Sequence, residues 1–280
     1  MIPWWGKLGA KIFLSRLPFG YAVWQKLGLF RHGSMDSADY ALRVFNERAA
    51  QAGVLHHLKG QRFLELGPGD SIGSAIIAAA IGAEAVIIDA GPFARDDVEF
   101  YIAYANTLQD KGLSAPDLKT CKNVDEILLK CRSQYMTEGL ASLRSLPDNT
   151  IDYIFSQAVL EHVRRHEFLA TLQEFRRILK PGGVCSHQID LRDHLGGALN
   201  NMRFDTATWE SNFFASSGFY TNRICFSHMM ALFKQAGFQA SVSGIKRWPS
   251  LPTPRNKLVK EFSSLSDEDL LISQFDVVLR

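Results

Sequence analysis

The sequence predicts an α/β protein built on a mostly parallel, seven-stranded sheet with helices on both faces, preceded by a helical segment and interrupted by helical insertions. Three observations carry this reading. From Gln61 onward, short apolar runs alternate with stretches of helical period. The first apolar run, FLEL at 63–66, ends directly on the turn GPGD at 67–70, as a buried strand does where the chain needs bare backbone. Finally, residues 1–55 differ in charge and composition from everything that follows.

Taken in order, residues 36–59 (DSADYALRVFNERAAQAGVLHHLK) read as a helix capped by Asp36 or Ser37, with Tyr40, Leu42, Val44 and Phe45 on its apolar side. Gln61–Leu66 is the first strand, and Ser71–Ile81 a helix of small residues that can lie close to a sheet. Ala85–Asp89 (AVIID) is the second strand. Residues 92–134 form an inserted helical segment before a third strand at Tyr135–Glu138. Ile151–Ser156 is a strand, Phe168–Leu179 a helix stopped by Pro181-Gly182, and Gly183–Ile189 the next strand. A second insertion, near 196–225, precedes a helix at Ser227–Ala236 that ends at Gly237. Strands at Gln239–Arg247 and Gln274–Leu279 close the chain. The organisation is therefore an N-terminal element, 1–55, followed by a sheet domain, 56–280.

Composition narrows the classes. The chain has 280 residues, 46% hydrophobic and 21% charged, which suits one large α/β domain with an accessory piece. Its four cysteines show no C-x-x-C spacing, so neither a disulfide framework nor a zinc site is expected, and a reducing, cytoplasmic setting is. Residues 1–35 hold Lys7, Lys11, Arg16, Lys26 and Arg31 and no acid, so they carry +5 of a total of +2 and leave −3 to the rest. Trp4, Trp5, Ile12, Phe13 and Leu14 make the same segment apolar, but Lys11, Arg16 and Lys26 interrupt it. Neither a spanning helix of about 20 residues nor a cleaved signal peptide fits that pattern. Two roles do: peripheral docking at the inner face of a membrane, or a lid packed over the sheet domain, with Pro18–Gly20 breaking any long helix. No nucleic-acid partner is expected, and the oligomeric state is not legible.

In open α/β sheets, ligands bind beyond the carboxyl ends of the strands, where the first strand-to-helix turn meets them. Gly67, Pro68 and Gly69 fill that turn. The dinucleotide fingerprint asks for a third glycine at position 72, which is Ile72; Gly73 comes one residue late. Asp89 ends the second strand, where a carboxylate can accept from both hydroxyls of a ribose, in a nicotinamide nucleotide or an adenosyl cofactor alike.

With ELGPGD and VIID, the stretch SLPDNTIDYIFSQAVLEHV at 145–163 resembles the class I S-adenosylmethionine-dependent methyltransferases, especially the group that includes the quinone-biosynthesis methyltransferases. The likeness is strongest over residues 56–190. It implies a Rossmann-like fold with S-adenosyl-L-methionine as cofactor. It also implies that Glu65, Gly67 and Gly69 hold the methionine end, that Asp89 holds the ribose, and that Ser156 and Gln157 lie beside the cofactor. Pro68 and Ala90 belong to the same set, and Gly139 and Leu140 are the candidates for the adenine. Ser71 stands where that family often has a further glycine.

The acceptor side is read from VCSHQIDLRDHLGGALNNMRF at 184–204, which gathers His187, Gln188, Asp190, Asp193 and His194 at the end of the fifth strand. Buried parallel strands are normally apolar, so this polarity points to a site. His187 or His194 can serve as general base for a hydroxyl, with Asp190 or Asp193 orienting the ring; Asp193 can equally cap a turn. Asp190, Asp193 and His194 could alternatively ligate a divalent cation, although no metal is assigned. His162 faces cofactor or substrate or is structural. In the second insertion Asn200, Asn201, Arg203, Tyr220, Asn222 and Arg223 are candidate substrate contacts, or else the interior of a surface cap.

The segment RLPFGYAVWQKLGLFRHGSMDSADYA at 16–41 also resembles bacterial methyltransferases associated with cell-surface glycan assembly. This implies O-methylation of a saccharide, lipid-linked or free, with a quinone or phenolic small molecule as the alternative acceptor. A nicotinamide-dependent oxidoreductase and a non-catalytic cofactor-binding module are the competing classes.

Overall fold

The computed structural model describes residues 3–14, 16 and 35–280. The expected break at Pro18–Gly20 and most of the 16–41 stretch lie outside the described residues. Seven strands form one sheet: β1 (Arg62–Leu66), β2 (Glu84–Ile88), β3 (Gln134–Met136), β4 (Ile151–Gln157), β5 (Leu179–Asp190), β6 (Ala240–Arg247) and β7 (Ile272–Leu279), in the order β3-β2-β1-β4-β5-β7-β6. β1 pairs in parallel with β2 and β4, and β2 with β3. β6 and β7 run antiparallel to each other: Lys246 bonds Gln274 while Gly244 faces Asp276, a pairing in which one number falls as the other rises. The predicted Rossmann-like, mostly parallel sheet is thus the observed one. Chain order reverses on either side of β1 and β4, which is where such sheets bind ligands.

The helices are α1 (Trp4–Leu14), α2 (Ala38–Ala52), α3 (Gly73–Ile81), α4 (Val98–Asp110), α5 (Val124–Lys130), α6 (Leu140–Ser145), α7 (Phe168–Ile178) and α8 (Phe226–Gln235), with several single turns between them. α2 is shorter than the expected 36–59. The Ser37 side chain accepts from the Tyr40 N–H at its start, and Gly53, at φ +78°, ends it in the left-handed conformation that a side chain disfavours. β5 is longer than expected. It begins at Leu179 and carries Pro181 and Gly182 within it, because both are exposed at its first residues, where a missing donor and a φ of +81° are tolerated.

By contact density the chain divides into two compact units. The glycine-loop unit comprises residues 21–157, 170–187 and 278–280. Its core is set by α2 packing on β1 and β4 and α3 on β2: Phe45, Phe63 and Phe155 are fully buried, with ring centroids 5.2 to 5.9 Å apart. Burying each such ring contributes about 1.5–3 kcal/mol. The alanines and isoleucines of α3 let it lie flat on the strands, with Ala75, Ile76, Ile77 and Ala78 without solvent contact.

The insertion unit comprises residues 1–20, 158–169 and 188–277. Leu195, Trp209, Phe219 and Tyr220 form one cluster, onto which Trp4, Leu8 and Ile12 of α1 pack. Leu199, Met202, Leu258, Phe262 and Leu270 form a second.

A side chain at Gly73 would collide with the buried Tyr104 hydroxyl. Gly73→Ala is therefore expected to destabilise the protein by about 1–3 kcal/mol, and to cost clearly less in a chain that already carries Tyr104→Ala, since the ring carbons as well as the hydroxyl meet the new methyl group. Urea unfolding of the single and double variants measures it; additive effects would mean the two residues do not meet.

Candidate active site

In the glycine-loop unit, β1 delivers its last residues into a turn that the end of β2 holds. Asp89 Oδ2 accepts from the Gly69 N–H at 3.1 Å and Oδ1 from the Ala90 N–H at 2.7 Å. The Gly67 N–H donates to the Ile88 carbonyl at 2.8 Å and the Gly139 N–H to that of Asp89, also at 2.8 Å. One acidic residue thereby ties together the turn after β1, the end of β2 and the start of α6. Gly67 and Gly69 stand at φ +69° and +66°, a region that glycine enters without strain. Pro68 and Gly69 are buried, Gly67, Asp89, Gly139 and Leu140 half-buried, and Ala90 exposed.

Glu65 sits beneath this turn, 2% exposed, with Oε2 lacking any hydrogen-bond partner. Burial pushes its pKa up to about 8, moderated by the nearby Ser74 hydroxyl and reinforced by Asp89. Ser74 acts there as a neighbouring dipole, since its oxygen is outside bonding geometry. Asp89 is raised to about 6, by burial first, with the Ala90 and Gly69 N–H groups opposing and Asp70 adding. An unpartnered buried carboxylate and a second carboxylate at the next strand end are acceptors of the kind an amino-acid-like cation and a diol require, and the glycines of the adjoining turn allow close approach.

Of the remaining residues expected beside the cofactor, Gln157 ends β4 half-buried, whereas Ser156 is fully buried and its hydroxyl meets His187 Nδ1 at 2.8 Å. His187 is also without solvent contact, stacked on Phe175 at 5.7 Å, with its pKa lowered to about 3 by burial and then by Arg48. It is a neutral core histidine in this structure.

The insertion unit holds the other two candidate histidines, His162 and His194. His162 Nδ1 meets the Tyr220 carbonyl at 2.8 Å, so this nitrogen carries the proton and Nε2 is the accepting one. The His194 ring lies 4.7 Å from it. His194 is exposed, yet protein crowded about its ring, then His162 and Lys11, lower its pKa, leaving the imidazole neutral at physiological pH. Neither aspartate orients a histidine. Asp190 is clamped by Arg192 through Nε and Nη2. Asp193 is buried and accepts from the backbone N–H groups of Leu195, Gly196, Gly197, Ala198 and Asn200, so it is the tie that folds this loop. Among the described residues, no group of three or more His, Cys, Asp or Glu is placed to hold a metal ion.

Most of the candidate substrate contacts are struts. Asn222 donates to the Leu160 and Val163 carbonyls and accepts from Ile224. Arg223, 4% exposed, donates to the Asn201 and Phe204 carbonyls and lies between the Trp209 and Phe262 rings. The Tyr220 hydroxyl donates to Glu210, Asn201 donates to Thr221, and Asn200 accepts from Arg203 Nε. Arg203 is half-buried, its guanidinium 5.1 Å from the Trp4 ring.

Sequence reasoning passed over Glu161. It is 1% exposed, with Oε1 accepting from the Asp190 N–H at 3.2 Å and Oε2 unpartnered; burial raises its pKa well above the carboxylate range. With Thr221, Asn222 and Arg223 it lines a cavity of about 10 Å³, room for roughly one water. An acid inside the apolar run AVLEHV was the available signal. Lys11, electrostatically coupled to His194, was also missed.

Against known proteins, the family described as "Methyltransferase domain" matches residues 103–186, from α4 into β5. That stretch of the chain is similar to a methyltransferase domain. That supports the S-adenosylmethionine-dependent methyltransferase reading; the match starts beyond Asp89, so the glycine turn stands on geometry. Neither the quinone-biosynthesis nor the glycan-assembly subgroup is singled out. Similar solved structures include a phosphoethanolamine N-methyltransferase 2 of Haemonchus contortus, with phosphomonomethylethanolamine and S-adenosylhomocysteine bound (16% identity, TM-score 0.43, 84% of this chain and 52% of that one). This chain thus spans about half the length of that protein. Others are a SAM-dependent methyltransferase from Archaeoglobus fulgidus (10% identity, TM-score 0.44, 85% and 93% covered) and an arsenic (III) S-adenosylmethionine methyltransferase from Chlamydomonas reinhardtii (15%, 0.46, 80% and 64%). No curated protein sequence matches the chain.

Two outcomes follow for the protein's buried acids. Because the Glu65 pKa is raised on folding, its contribution is fully present below its unfolded-state value and is lost as pH rises through about 8. Glu65→Gln is therefore expected to stabilise the ligand-free protein near pH 8 by on the order of 1–3 kcal/mol, with little effect near pH 4, as thermal melts at the two pH values would show. Asp193→Ala should cost about 2–4 kcal/mol by orphaning its backbone donors. A Tm unchanged in that variant would mean the loop holds itself.

Proposed function

We propose that the protein is an S-adenosylmethionine-dependent O-methyltransferase acting on a hydroxyl of a saccharide or lipid-linked glycan. The observation that carries the cofactor half is the Glu65 carboxylate, buried with an unpartnered oxygen beneath the Gly67–Gly69 turn and within electrostatic reach of Asp89. An α-ammonium group satisfies that oxygen, and the Asp89 carboxylate suits a ribose diol. A nicotinamide dinucleotide fits less well: where its fingerprint needs a third glycine, Ile72 is fully buried and its N–H donates to the Tyr101 hydroxyl.

When bound, the cofactor supplies a methyl group on a sulfonium, whose leaving group is neutral. The protein therefore needs only to bind, align and accept one proton. His194 is the candidate acceptor of that proton, since it is exposed and neutral, whereas His187 is sealed in the core against Ser156. The neighbouring His162 is held as one tautomer by the Tyr220 carbonyl. Half-buried Arg203 is the candidate to meet acceptor oxygens. The saccharide assignment rests on the likeness of the N-terminal stretch to glycan-assembly methyltransferases.

Calorimetry with S-adenosylmethionine tests the cofactor half. Asp89→Ala and Gly67→Val are each expected to weaken binding by about 1–3 kcal/mol. Affinity of the native chain should rise with pH toward about 8, with proton release on binding, because the ammonium favours ionised Glu65. Unchanged affinity in both variants, with the fold intact, would refute the site. For the chemistry, His194→Ala should bind cofactor normally yet transfer labelled methyl roughly a hundredfold more slowly to glycan extracts. Label appearing in quinone or phenolic acceptors instead would transfer the assignment to that class.

A further inference from the structure

α1 has two apolar faces, and only one of them is used. Trp4, Leu8 and Ile12, one turn apart, pack on the insertion unit's aromatic cluster. Trp5 and Phe13 follow the same spacing through Gly9 on the adjoining stripe, about 100° round the helix, and are 63% and 65% exposed. Phe213, 51% exposed, joins them: Arg16 donates to the Phe213 carbonyl at 2.6 Å and lays its guanidinium 3.8 Å from the ring, while its own N–H bonds the Phe13 carbonyl. Arg16 also donates to the Ile12 carbonyl at 2.7 Å, so the end of α1 and the Phe213 turn are tied into one surface. Three large aromatic side chains in one exposed patch are more than a solvated surface ordinarily carries.

The charge around the patch selects its partner. α1 has no acidic residue, Arg16 lies against Phe213 and Phe13, and residues 1–35 carry five cations and no acid. Aromatic rings seat at the headgroup boundary of a bilayer, and cations are drawn to anionic lipid. We infer that the outer face of α1, with Phe213, docks the protein on an anionic membrane surface while the inner face of the same helix anchors to the insertion unit. The two roles expected of the N-terminal segment, surface element and packed cover, are thus divided between two faces of one helix. No described helix is long and apolar enough to cross a membrane, so the attachment is peripheral. The inference stands on this surface and not on the identity of the methyl acceptor.

The test is co-sedimentation of the full chain with vesicles of phosphatidylcholine, alone or mixed with phosphatidylglycerol. The native protein is expected to bind the mixed vesicles and to bind roughly tenfold less tightly without the anionic lipid or in high salt. Trp5→Ser with Phe13→Ser should lower binding about tenfold or more, with the melting temperature unchanged because both side chains are exposed. Lys7→Glu should weaken binding only where the anionic lipid is present. Absence of native binding, or equal binding by the aromatic double variant, would overturn the inference. So would a native dimer that the double variant converts to monomer without any vesicle binding, since the patch would then be the seat of a second copy.

Discussion

The bond between Asp89 and the Gly69 N–H is the constraint on which the geometry of the glycine turn depends. A carboxylate at the end of β2 fixes the turn at the end of β1, and the Asp89 carbonyl, accepting from Gly139, positions the start of α6. Desolvation opposes the arrangement, which is why Asp89 is pushed up to about 6; two backbone donors offset part of that cost. At neutral pH the group stays largely ionised, so it can hold the loop and still offer lone pairs to a ligand. Glu65, with no such donors, stays mainly protonated until a cation arrives. The two acids differ in role because they differ in backbone support.

That contrast explains what was readable. Strand positions, the glycine turn and the acid at the end of β2 follow from local rules: an apolar run, a left-handed glycine, an acid at a strand end. They were placed to within a residue or two. The start of β5 was misplaced because Pro181-Gly182 reads as a stop, whereas exposed first residues of a strand tolerate both. Glu161 escaped notice because its significance is burial, which depends on segments far away in sequence, including residues 221–225.

The polar residues of the second insertion show the converse difficulty. Asn222, Arg223 and Asp193 have the composition of a binding site, yet each spends its hydrogen-bonding capacity on backbone groups of the insertion unit. A long segment with little regular structure leaves many N–H and C=O groups unpaired, and side chains must satisfy them. Polarity in such a stretch therefore reports the demands of an irregular backbone before it reports a ligand. Hydrogen-bond accounting separates the two; composition does not.

The same accounting narrows the acceptor. Once the struts are set aside, the candidate polar groups of the insertion unit that remain at or near its surface are His194, His162 and Arg203, with Lys11 arriving from α1. None of these is a carboxylate, and the Asp190 carboxylate beside them is neutralised by Arg192. A surface of imidazoles and cations binds oxygen-rich, electron-donating molecules and offers nothing to hold a cationic amine. Hydroxylated or anionic acceptors fit that inventory, in keeping with the proposed transfer to oxygen.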